Sequence, residues 1–454
     1  MKVQAEPTPT GFRDRPMSQI SGWGGRAVRA YEIVGEDLEH LTRDVPLSRG
    51  LGRSYGDSSL PPSSHPVVVG TTLSDRVLGF DNDTGVLRAE AGLSLKRLYQ
   101  VLLPRGWFTP VSPGTWNVTL GGMVAADVHG KNHHRDGTFG NHVRLLRMRL
   151  ASGVIVECSP QCLPDLFYAS IGGMGLTGHI LEVEVQLMKV PSPWIYAETV
   201  RVPNLSTFLE SLENSARSWP FTVGWLDCLA RGRHLGRGIL FRGRWARPEE
   251  APNSFPSPFK RPSVPFCAPA FVMSRPLVAM FNGFYYHAHC RRRPAAIVHP
   301  QAFFYPLDAV GHWNRLYGRA GVTQYQCVLP RASGGDAVAR VLEVLSVQGG
   351  ASFLGVIKDC GGQDPGMLSF PMYGTSLALD LPLRDTTSGL VDALNEQVIA
   401  EGGRIYLAKD ALSRPAHFRQ MEKRLDDWLL VCDRYDPERR LRSAQSVRLF
   451  GDLR

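Results

Sequence analysis

The chain has 454 residues, of which 43% are hydrophobic, 9% aromatic and 20% charged. This length suggests about two or three domains, and the composition excludes a disordered or collagen-like chain. The 51 lysine and arginine residues exceed the 42 acidic ones, which gives a formal net charge of +9. Basic residues are not clustered with aromatic ones, so no nucleic-acid site is predicted. Local concentrations favour either a solvated surface or one that attracts phosphate or anionic lipid; they lie at Arg242–Arg247, at Arg291–Arg293 and at Arg439, Arg440 and Arg442.

The eight cysteines are scattered and form no Cys-x-x-Cys pair, a pattern typical of reduced thiols and not of a disulfide framework. The N-terminus lacks the apolar segment of a signal peptide. The most apolar stretch, Val264–Phe281, is interrupted by Pro265, Pro269, Arg275 and Pro276, so it does not predict a membrane span. We therefore expect a cytoplasmic protein, and peripheral contact with a membrane stays open.

Short apolar runs separated by glycines occupy the chain from about residue 20 to residue 190. Residues 182–187 alternate polar and apolar side chains, the period of a half-buried strand. We expect strands at 66–70, 85–91, 143–150, 153–158 and 180–187, and helices at 95–103 and 163–171. Strands interleaved with helices indicate a mixed helix and sheet fold.

The second half of the chain is also mixed. Residues 247–267 are rich in proline and serine, which predicts a mobile loop or lid. Apolar spacing predicts helices at 336–348 and 389–399, and apolar runs predict strands at 351–357 and 376–381. We expect one further helix at 417–431, ended before Pro437.

Three glycine-dense stretches lie at 48–58, 112–134 and 171–179. Glycine lets successive backbone N–H groups approach an anion closely. None of the stretches matches the P-loop pattern. The G-x-G-x-x-G match at 173–178 precedes a strand pattern instead of a helix, so we interpret it as accidental. Turn glycines explain any single stretch, but three of them together predict one large ligand.

Histidines and a carboxylate in the middle stretch raise the question of a metal site. The spacing of His129 and His133 is i,i+4, but the Glu of H-E-x-x-H is absent and Gly130 disfavours the required helix. We therefore predict no metal at the cluster His129, His133, His134, Asp136 and His142.

A series of motifs carries a family resemblance. It consists of R-G-x-G-R-S-Y-G-D, P-G-T-x-x-V-T-x-G-G, D-V-H-G-K-N-H-H, G-x-F-G-N-H-V and G-L-T-G, followed by GHWNRLYG, TQYQCVLP, LSFPMYG and RIYLAKD. The series resembles the vanillyl-alcohol-oxidase, or PCMH-type, FAD oxidoreductases. Within that superfamily it is most similar to the oxidase components of decaprenylphosphoryl-β-D-ribose 2′-epimerases.

The resemblance implies an α+β fold in three parts. These are a two-lobed PCMH-type FAD-binding domain at 15–190, a mixed α/β substrate or cap domain at 191–400 with a mobile loop near 245–285, and a C-terminal segment at 401–454 that packs back on the FAD site. FAD is expected without a covalent bond, because many relatives bond flavin through a histidine where Tyr55 stands. The expected cofactor-binding residues are Arg49, Gly50, Leu51, Gly52, Arg53, Ser54, Tyr55, Gly56, Asp57, Gly114, Thr119, Gly121, Gly122, Ala126, Asp127, His129, Ile180 and Tyr406.

Oxidation of a secondary alcohol by flavin removes the hydroxyl proton and transfers a hydride, so a proton acceptor and a cation must lie nearby. Lys409 is our first candidate for the cation, and the resemblance places it near the substrate hydroxyl, which it would polarise or help to deprotonate. The resemblance also places His129 beside flavin and substrate, and Tyr55 against the flavin. A solvated lysine, a structural histidine and a packed tyrosine are the alternatives.

The substrate residues that the resemblance implies are Lys131, Trp225, Phe304, Asn314, Gln324, Gln326, Lys358 and Ala378. Glutamine can bind sugar hydroxyls as donor and acceptor, although a structural role stays open, and Lys358 could neutralise a phosphate. The loop near 245–285 would cover a lipid tail with Phe255, Phe259, Phe266, Phe271 and Phe281, unless these are ordinary core aromatics.

The chain departs from its relatives at two substrate positions. Ala378 stands where close relatives have a cysteine, and Phe304 stands where they have a tyrosine. Oxidation does not need that thiol, so activity should survive, whereas covalent capture by nitroaromatic inhibitors should fail. Both changes leave the exact substrate open.

Three functions follow from this reading. The first is FAD-dependent oxidation of a sugar secondary alcohol, at C2′ of a polyprenyl-phosphoryl ribose. This would be the first half of an epimerisation to the arabinose form for arabinan and cell wall biosynthesis, completed by a separate short-chain NAD(P)H-dependent reductase. The second is an aldonolactone or alditol oxidase that uses O₂. The third is a non-catalytic carbohydrate- or lipid-binding relative, which would purify without yellow colour.

Overall fold

A computed structural model gives the structure of the protein and describes residues 16–256, 262–289 and 295–451. Several residues that the sequence analysis singled out, namely Phe259, Cys290 and Arg291–Arg293, lie outside these ranges. Within the described ranges, no helix combines the length and the apolarity needed to cross a membrane.

Three sheets form the first part of the chain. A four-stranded sheet has the order β1-β2-β4-β3, with the β2–β4 and β3–β4 pairs parallel. An antiparallel sheet has the order β5-β6-β10-β8-β9, and β7 pairs with β11. The strands are β1 (Ser18–Ser21), β2 (Ala27–Val34), β3 (Ser48–Arg49), β4 (Val67–Gly70), β5 (Val77–Phe80), β6 (Val86–Glu90), β7 (Trp107–Phe108), β8 (Val143–Arg149), β9 (Ile155–Cys158), β10 (His179–Gln186) and β11 (Met188–Lys189).

Two of the helices in the first part begin at capping hydroxyl groups. The Ser94 hydroxyl accepts the N–H of Arg97 at 3.2 Å, and the Thr119 hydroxyl accepts the N–H of Gly122 at 3.2 Å. The strands and helices predicted here are confirmed, with bounds that shift by at most two residues. The helices are α1 (Leu38–Leu41), α2 (Leu95–Leu102), α3 (Leu120–Ala125), α4 (His133–Asp136) and α5 (Pro164–Ser170).

An eight-stranded antiparallel sheet forms the second part. Its order is β15-β12-β14-β13-β17-β18-β16-β19. The strands are β12 (Ile195–Val202), β13 (Phe221–Leu226), β14 (Gly238–Trp245), β15 (Ala295–Val298), β16 (Val322–Pro330), β17 (Gly355–Cys360), β18 (Gly374–Pro382) and β19 (Arg404–Ile405). The helices of this part are α6 (Leu205–Ala216), α7 (Arg275–Ala288), α8 (Pro300–Phe304), α9 (Gly334–Val347) and α10 (Thr387–Ala400).

Two predictions for the second part need correction. The strand expected at 351–357 starts only at Gly355, because the Ser352 hydroxyl bonds both the N–H and the carbonyl of Leu354 and forms a local turn. The loop near 245–285 includes part of α7, which has Pro276 in its first turn.

The C-terminal part contains α11 (Pro415–Met421), α12 (Leu425–Tyr435) and α13 (Ala444–Phe450). The single helix expected at 417–431 is therefore wrong. Glu422 leaves the helical conformation with ψ 87°, and its carboxylate accepts the N–H of Arg424 at 3.2 Å and its Nε at 2.6 Å. These bonds replace the helical ones at the break.

The C-terminal part returns to the first part of the chain. Trp428 is fully buried, and its Nε1 donates to the Ala169 carbonyl at 3.0 Å. The Ala408 carbonyl accepts the N–H of Tyr55 at 3.0 Å. These contacts bring residues 406–409 against the first glycine stretch. The domain bounds 15–190, 191–400 and 401–454 stay a prediction.

The substitution Trp428→Ala tests this anchoring. It removes a fully buried indole, so the free energy of unfolding should fall by about 3–5 kcal/mol. The matched control is Leu430→Ala in the same helix, where the side chain is 67% exposed, and its effect should stay within about 0.5 kcal/mol. Guanidinium unfolding of both variants measures the difference, and equal effects would contradict the anchoring.

Candidate active site

A cavity of about 720 Å³ lies between the glycine stretches, the eight-stranded sheet and residues 406–409. This volume falls in the range of about 300–1,000 Å³ that is usual for ligand sites. Most of the predicted site residues line it, namely Arg49, Gly50, Leu51, Gly52, Arg53, Ser54, Tyr55, Gly114, Thr119, Gly121, Gly122, Ala126, His129, Lys131, Ile180, Trp225, Phe304, Gln324, Gln326, Lys358, Ala378, Tyr406 and Lys409.

Two residues predicted to bind the cofactor lie behind the cavity wall. A side chain at Gly56 would collide with the carbonyl of Asp410, so glycine lets the first stretch pack against the returning C-terminal part. Asp57 forms an ion pair with Arg448 at 2.8 Å. Both residues hold the stretch in position and do not line the cavity.

Asp127 and Asn314 also lie outside the lining. Asp127 is buried, accepts the N–H of Gly140 at 2.9 Å and accepts a hydrogen bond from the Ser369 hydroxyl. Asn314 donates to the Trp23 carbonyl at 3.2 Å. Both side chains therefore have protein partners, and their predicted contacts with cofactor and substrate stay predictions.

The glycine stretches form an open cradle at one end of the cavity. A side chain at Gly50 would collide with Thr119, so glycine permits two stretches to meet. Added Cβ atoms at Gly114 and Gly175 would meet no atom within 4 Å, which leaves free space beside the backbone. With Arg53 also in the lining, this end fits an anionic dinucleotide such as FAD.

The stretch at 171–179 takes part in the same cradle. Met174, Gly175 and Gly178 line the cavity, and the strand β10 follows directly at His179. As predicted, the G-x-G-x-x-G pattern therefore precedes a strand and not a helix.

Tyr55 and Lys409 stand together in the cavity wall. The Lys409 ammonium nitrogen lies 4.4 Å from the centre of the Tyr55 ring, a cation–π distance. Burial lowers the pKa of Lys409, and the Asp380 carboxylate partly opposes that shift. Burial also raises the pKa of the Tyr55 phenol well above its usual value, so the phenol stays protonated.

Asp380 lies behind this pair and was missed by the sequence analysis. Its carboxylate accepts hydrogen bonds from the Gln324 amide and, at 3.1 Å, from the Tyr317 hydroxyl. Burial raises its pKa. The period of two in β18 was the available signal, because positions 376, 378 and 380 share one face of a strand and Ser376 and Ala378 line the cavity.

His129 is held as a neutral ring. Its Nε2 lies 2.9 Å from the amide nitrogen of Gln326, which donates to it and places the ring proton on Nδ1. Burial, reinforced by Lys358, lowers the pKa of His129 well below its usual value. The ring therefore contributes a fixed polar group and no charge.

Lys131 and Lys358 bring two further amines to the cavity. The Lys131 nitrogen donates to the Phe304 carbonyl at 2.9 Å. Burial lowers the pKa of Lys131 to about 7, with a contribution from Lys358, and lowers the pKa of Lys358 to about 8. Together with Lys409, three amines share one space, an arrangement that favours an anionic ligand.

Aromatic side chains form the remaining wall. Trp225 stacks edge-on against Tyr285 of α7 at 4.7 Å, and Phe304 stacks on Phe108 at 5.5 Å. The sequence analysis missed Tyr285, because it expected a loop there. Ala378 pairs with Gln326 in the sheet register, so this part of the lining presents a methyl group.

The histidines of the middle stretch have protein partners. His133 Nε2 lies 2.7 Å from the Asp364 carboxylate, His134 bonds the Trp219 carbonyl at 2.9 Å, and His142 bonds the Asp136 carbonyl at 2.9 Å. Among the described residues, no group of three histidine, cysteine or acidic side chains could hold a metal ion.

Known proteins provide an independent comparison. Residues 42–159 match the family of FAD binding domains. Over 450 residues the chain is 31% identical to decaprenylphosphoryl-β-D-ribose oxidase of Mycolicibacterium smegmatis, which covers 95% of this chain and 97% of that protein. A putative D-arabinono-1,4-lactone oxidase of Neurospora crassa is 31% identical over 183 residues, or 38% of this chain and 32% of that protein. The matches confirm FAD as the cofactor.

Acid precipitation tests how FAD is held. Since Tyr55 replaces the histidine of covalent flavoproteins, the flavin should pass entirely into the supernatant when the yellow protein is precipitated with acid. Absorbance of supernatant and pellet near the flavin bands measures the partition. Tyr55→Phe should also release all its flavin, and flavin retained in the washed wild-type pellet would contradict the prediction.

Proposed function

The chain belongs to the FAD-dependent oxidoreductase family that includes decaprenylphosphoryl-β-D-ribose oxidase, and on that premise we propose that it oxidises C2′ of a polyprenyl-phosphoryl ribose to a ketone. The observation that carries the proposal is the combination of three amines and an aromatic wall in one cavity with the glycine cradle. When bound, FAD supplies the acceptor for two electrons.

Lys409 is the residue we assign to the hydroxyl proton. Burial brings its pKa down from the usual lysine value, so its nitrogen can accept a proton near neutral pH. The alcohol O–H bond breaks and its proton moves to Lys409 Nζ, while the C2′–H bond breaks and that hydrogen leaves with its electron pair to the bound FAD. Asp380 then stabilises the ammonium group, since its carboxylate favours the charged lysine.

Lys358 and Lys131 are the residues we assign to the substrate phosphate. Lys358 comes from β17, which pairs with β18, and it lines the cavity. Lys131 comes from the middle glycine stretch and is tethered to the Phe304 carbonyl. A phosphate between them would restore the charged state of both amines, which binds the substrate and fixes the direction of its sugar.

The glutamines and aromatics complete the proposed substrate site. Gln324 holds Asp380 with its amide nitrogen, which leaves its carbonyl oxygen as an acceptor for a sugar hydroxyl. Gln326 orients His129 in the same way. The Trp225 and Phe304 rings supply apolar surface, and they exclude water from the reacting carbon.

Two partners follow from the proposed reaction. A 2′-ketone must be reduced on the opposite face to give the arabinose form, so we propose a separate short-chain NAD(P)H-dependent reductase as the next enzyme. The polyprenyl tail requires that the protein work at a membrane surface.

An aldonolactone or alditol oxidase is the second candidate function, favoured by the partial match to the arabinono-lactone oxidase. An uncharged lactone, however, would leave Lys358 and Lys131 without an anion.

Anaerobic mixing tests the proposed substrate. Purified yellow protein should lose its flavin absorbance when polyprenyl-phosphoryl ribose is added without oxygen, because electrons from the C2′ alcohol reduce FAD. L-galactono-lactone, D-arabinono-lactone and xylitol serve as comparison substrates and should leave the absorbance unchanged. Bleaching by a lactone or an alditol, and none by the lipid-linked sugar, would reverse the assignment.

The pH dependence of substrate binding tests the phosphate site. Since its pKa is lowered to about 8, Lys358 is charged below that pH and loses its proton above it. Affinity for the phosphorylated substrate should therefore fall about tenfold between pH 7 and pH 9. Lys131, with a pKa lowered to about 7, should add a second loss of the same slope that begins about one pH unit lower.

Lys358→Met should abolish the step near pH 8 and move the remaining step, that of Lys131, to a pH above 7, because the charge of Lys358 contributes to the lowered pKa of Lys131. The matched control is Lys423→Met, which replaces an exposed lysine and should keep the wild-type profile. Binding followed by flavin absorbance changes gives both profiles. An unchanged profile in Lys358→Met would remove Lys358 from the phosphate site.

A further inference from the structure

The outer side of α7 and the turn before it expose four large apolar side chains. Phe266 is 70% exposed, Phe271 is 65%, Met280 is 67% and Phe284 is 73%. We call these four residues the aromatic face. All five exposed phenylalanines of the described residues lie between positions 255 and 284. Single exposed apolar residues are ordinary, but this concentration in one segment indicates a binding surface.

The helix α7 has two opposite sides. Val278, Asn282 and Tyr286 recur every four residues and are buried, while Met280 and Phe284 lie on the opposite side and are exposed. The buried side carries structural bonds, such as the one from the Asn282 amide to Asp227 at 2.9 Å. The amphipathic helix thus keeps an apolar surface turned away from its own core.

The same helix also reaches the cavity. Tyr285 and His289 belong to the cavity lining, and Tyr285 packs on Trp225. One element therefore joins the wall of the proposed substrate site to the aromatic face. A ligand with a long apolar tail could leave the cavity along this helix.

Arginines surround the aromatic face. Arg315 donates to the Val264 and Pro265 carbonyls at 2.9 and 3.0 Å, and Arg384 donates to the Met273 carbonyl at 2.8 Å.

Arg231 and Arg275 both donate to the Ser346 hydroxyl, at 3.0 and 3.3 Å. Within the described part of the chain, none of these four arginines forms an ion pair with a carboxylate. Residues 251–307 contain no aspartate or glutamate. The segment that carries the aromatic face is therefore apolar and basic and has no acidic residue of its own.

We propose that the aromatic face docks on an anionic lipid bilayer. Phenylalanine and methionine side chains enter the boundary between headgroups and acyl chains, and the surrounding arginines attract the anionic headgroups. The charge of the surface favours a lipid bilayer over a second copy of this chain. Pairing two copies through this surface would place the four arginines of one copy against the four of the other. The inference rests on the proposed function for its purpose, since it would place the cavity beside a membrane that holds a polyprenyl-phosphoryl substrate.

Vesicle sedimentation with the yellow holoenzyme tests the proposal. Wild-type protein should bind vesicles of equal phosphatidylglycerol and phosphatidylcholine at least about tenfold more tightly than pure phosphatidylcholine vesicles. Met280→Ser/Phe284→Ser should weaken binding at least about tenfold, because it removes two inserted side chains. The control, Val347→Ser/Leu430→Ser, removes two equally exposed apolar residues elsewhere and should bind like the wild type.

Three results would overturn the proposal. The first is that the wild-type protein does not bind the anionic vesicles, and the second is that both double variants lose the same amount of vesicle binding. The third is that the wild-type protein self-associates without vesicles and Met280→Ser/Phe284→Ser does not. Flavin bleaching by substrate in detergent micelles provides the separate readout, and it should be the same in both variants. Vesicle binding that depends on the aromatic face, together with no bleaching in any protein, would support the surface and reject the proposed substrate.

Discussion

Three lysine side chains converge in one cavity of this protein, and the rest of the site depends on the cost of burying their charge. An ammonium group removed from water favours its neutral form unless an anion lies close by. The carboxylate of Asp380 is shared by two hydrogen-bond donors and offsets that cost only at Lys409. Lys131 and Lys358 are left with lowered pKa values. An arrangement of this kind is stabilised by an anionic ligand, which is the physical basis for proposing a phosphorylated substrate beside FAD.

Distant parts of the chain bring the lysines together. Lys131 follows the glycine cradle of the first part, and Lys358 comes from a central strand of the large sheet. Lys409 arrives with the C-terminal part, which is anchored by Trp428 and by the bond from Tyr55 to the Ala408 carbonyl. Because Trp428 lies outside the cavity lining, the position of Lys409 over Tyr55 also depends on packing at a site that does not touch the ligand. Helix α7 connects the cavity with the protein surface, since its inner side contributes Tyr285 to the cavity and its outer side exposes apolar side chains.

The sequence predicts the strands of the first part, because period-two patterns are local signals, and most of the site residues that the family resemblance implies do line the cavity. It predicts the second half less well. The break at Glu422 comes from a side chain that bonds its own backbone region, which apolar spacing does not reveal. The sequence analysis missed Asp380 because its role depends on hydrogen bonds from Gln324 and Tyr317. These residues lie far from Asp380 in the sequence and meet it only in the folded protein. Asp57 and Asp127 lie in the most specific motifs, which is why they were expected to contact the cofactor. In the structure their carboxylates bond to Arg448 and to the Gly140 N–H, and these bonds hold the loops in position.

The central claim is that Lys409 takes up the hydroxyl proton and then stands as an ammonium group beside the reduced flavin, and the midpoint reduction potential of bound FAD tests this directly. The reduced cofactor gains negative charge, so a nearby ammonium group should stabilise it more than the oxidised form. The account predicts that Lys409→Met lowers the two-electron potential by about 30 mV or more, equivalent to about 1.4 kcal/mol, while Lys423→Met leaves it unchanged. A Lys409→Met protein that binds FAD fully and keeps the wild-type potential, or raises it, would contradict the account.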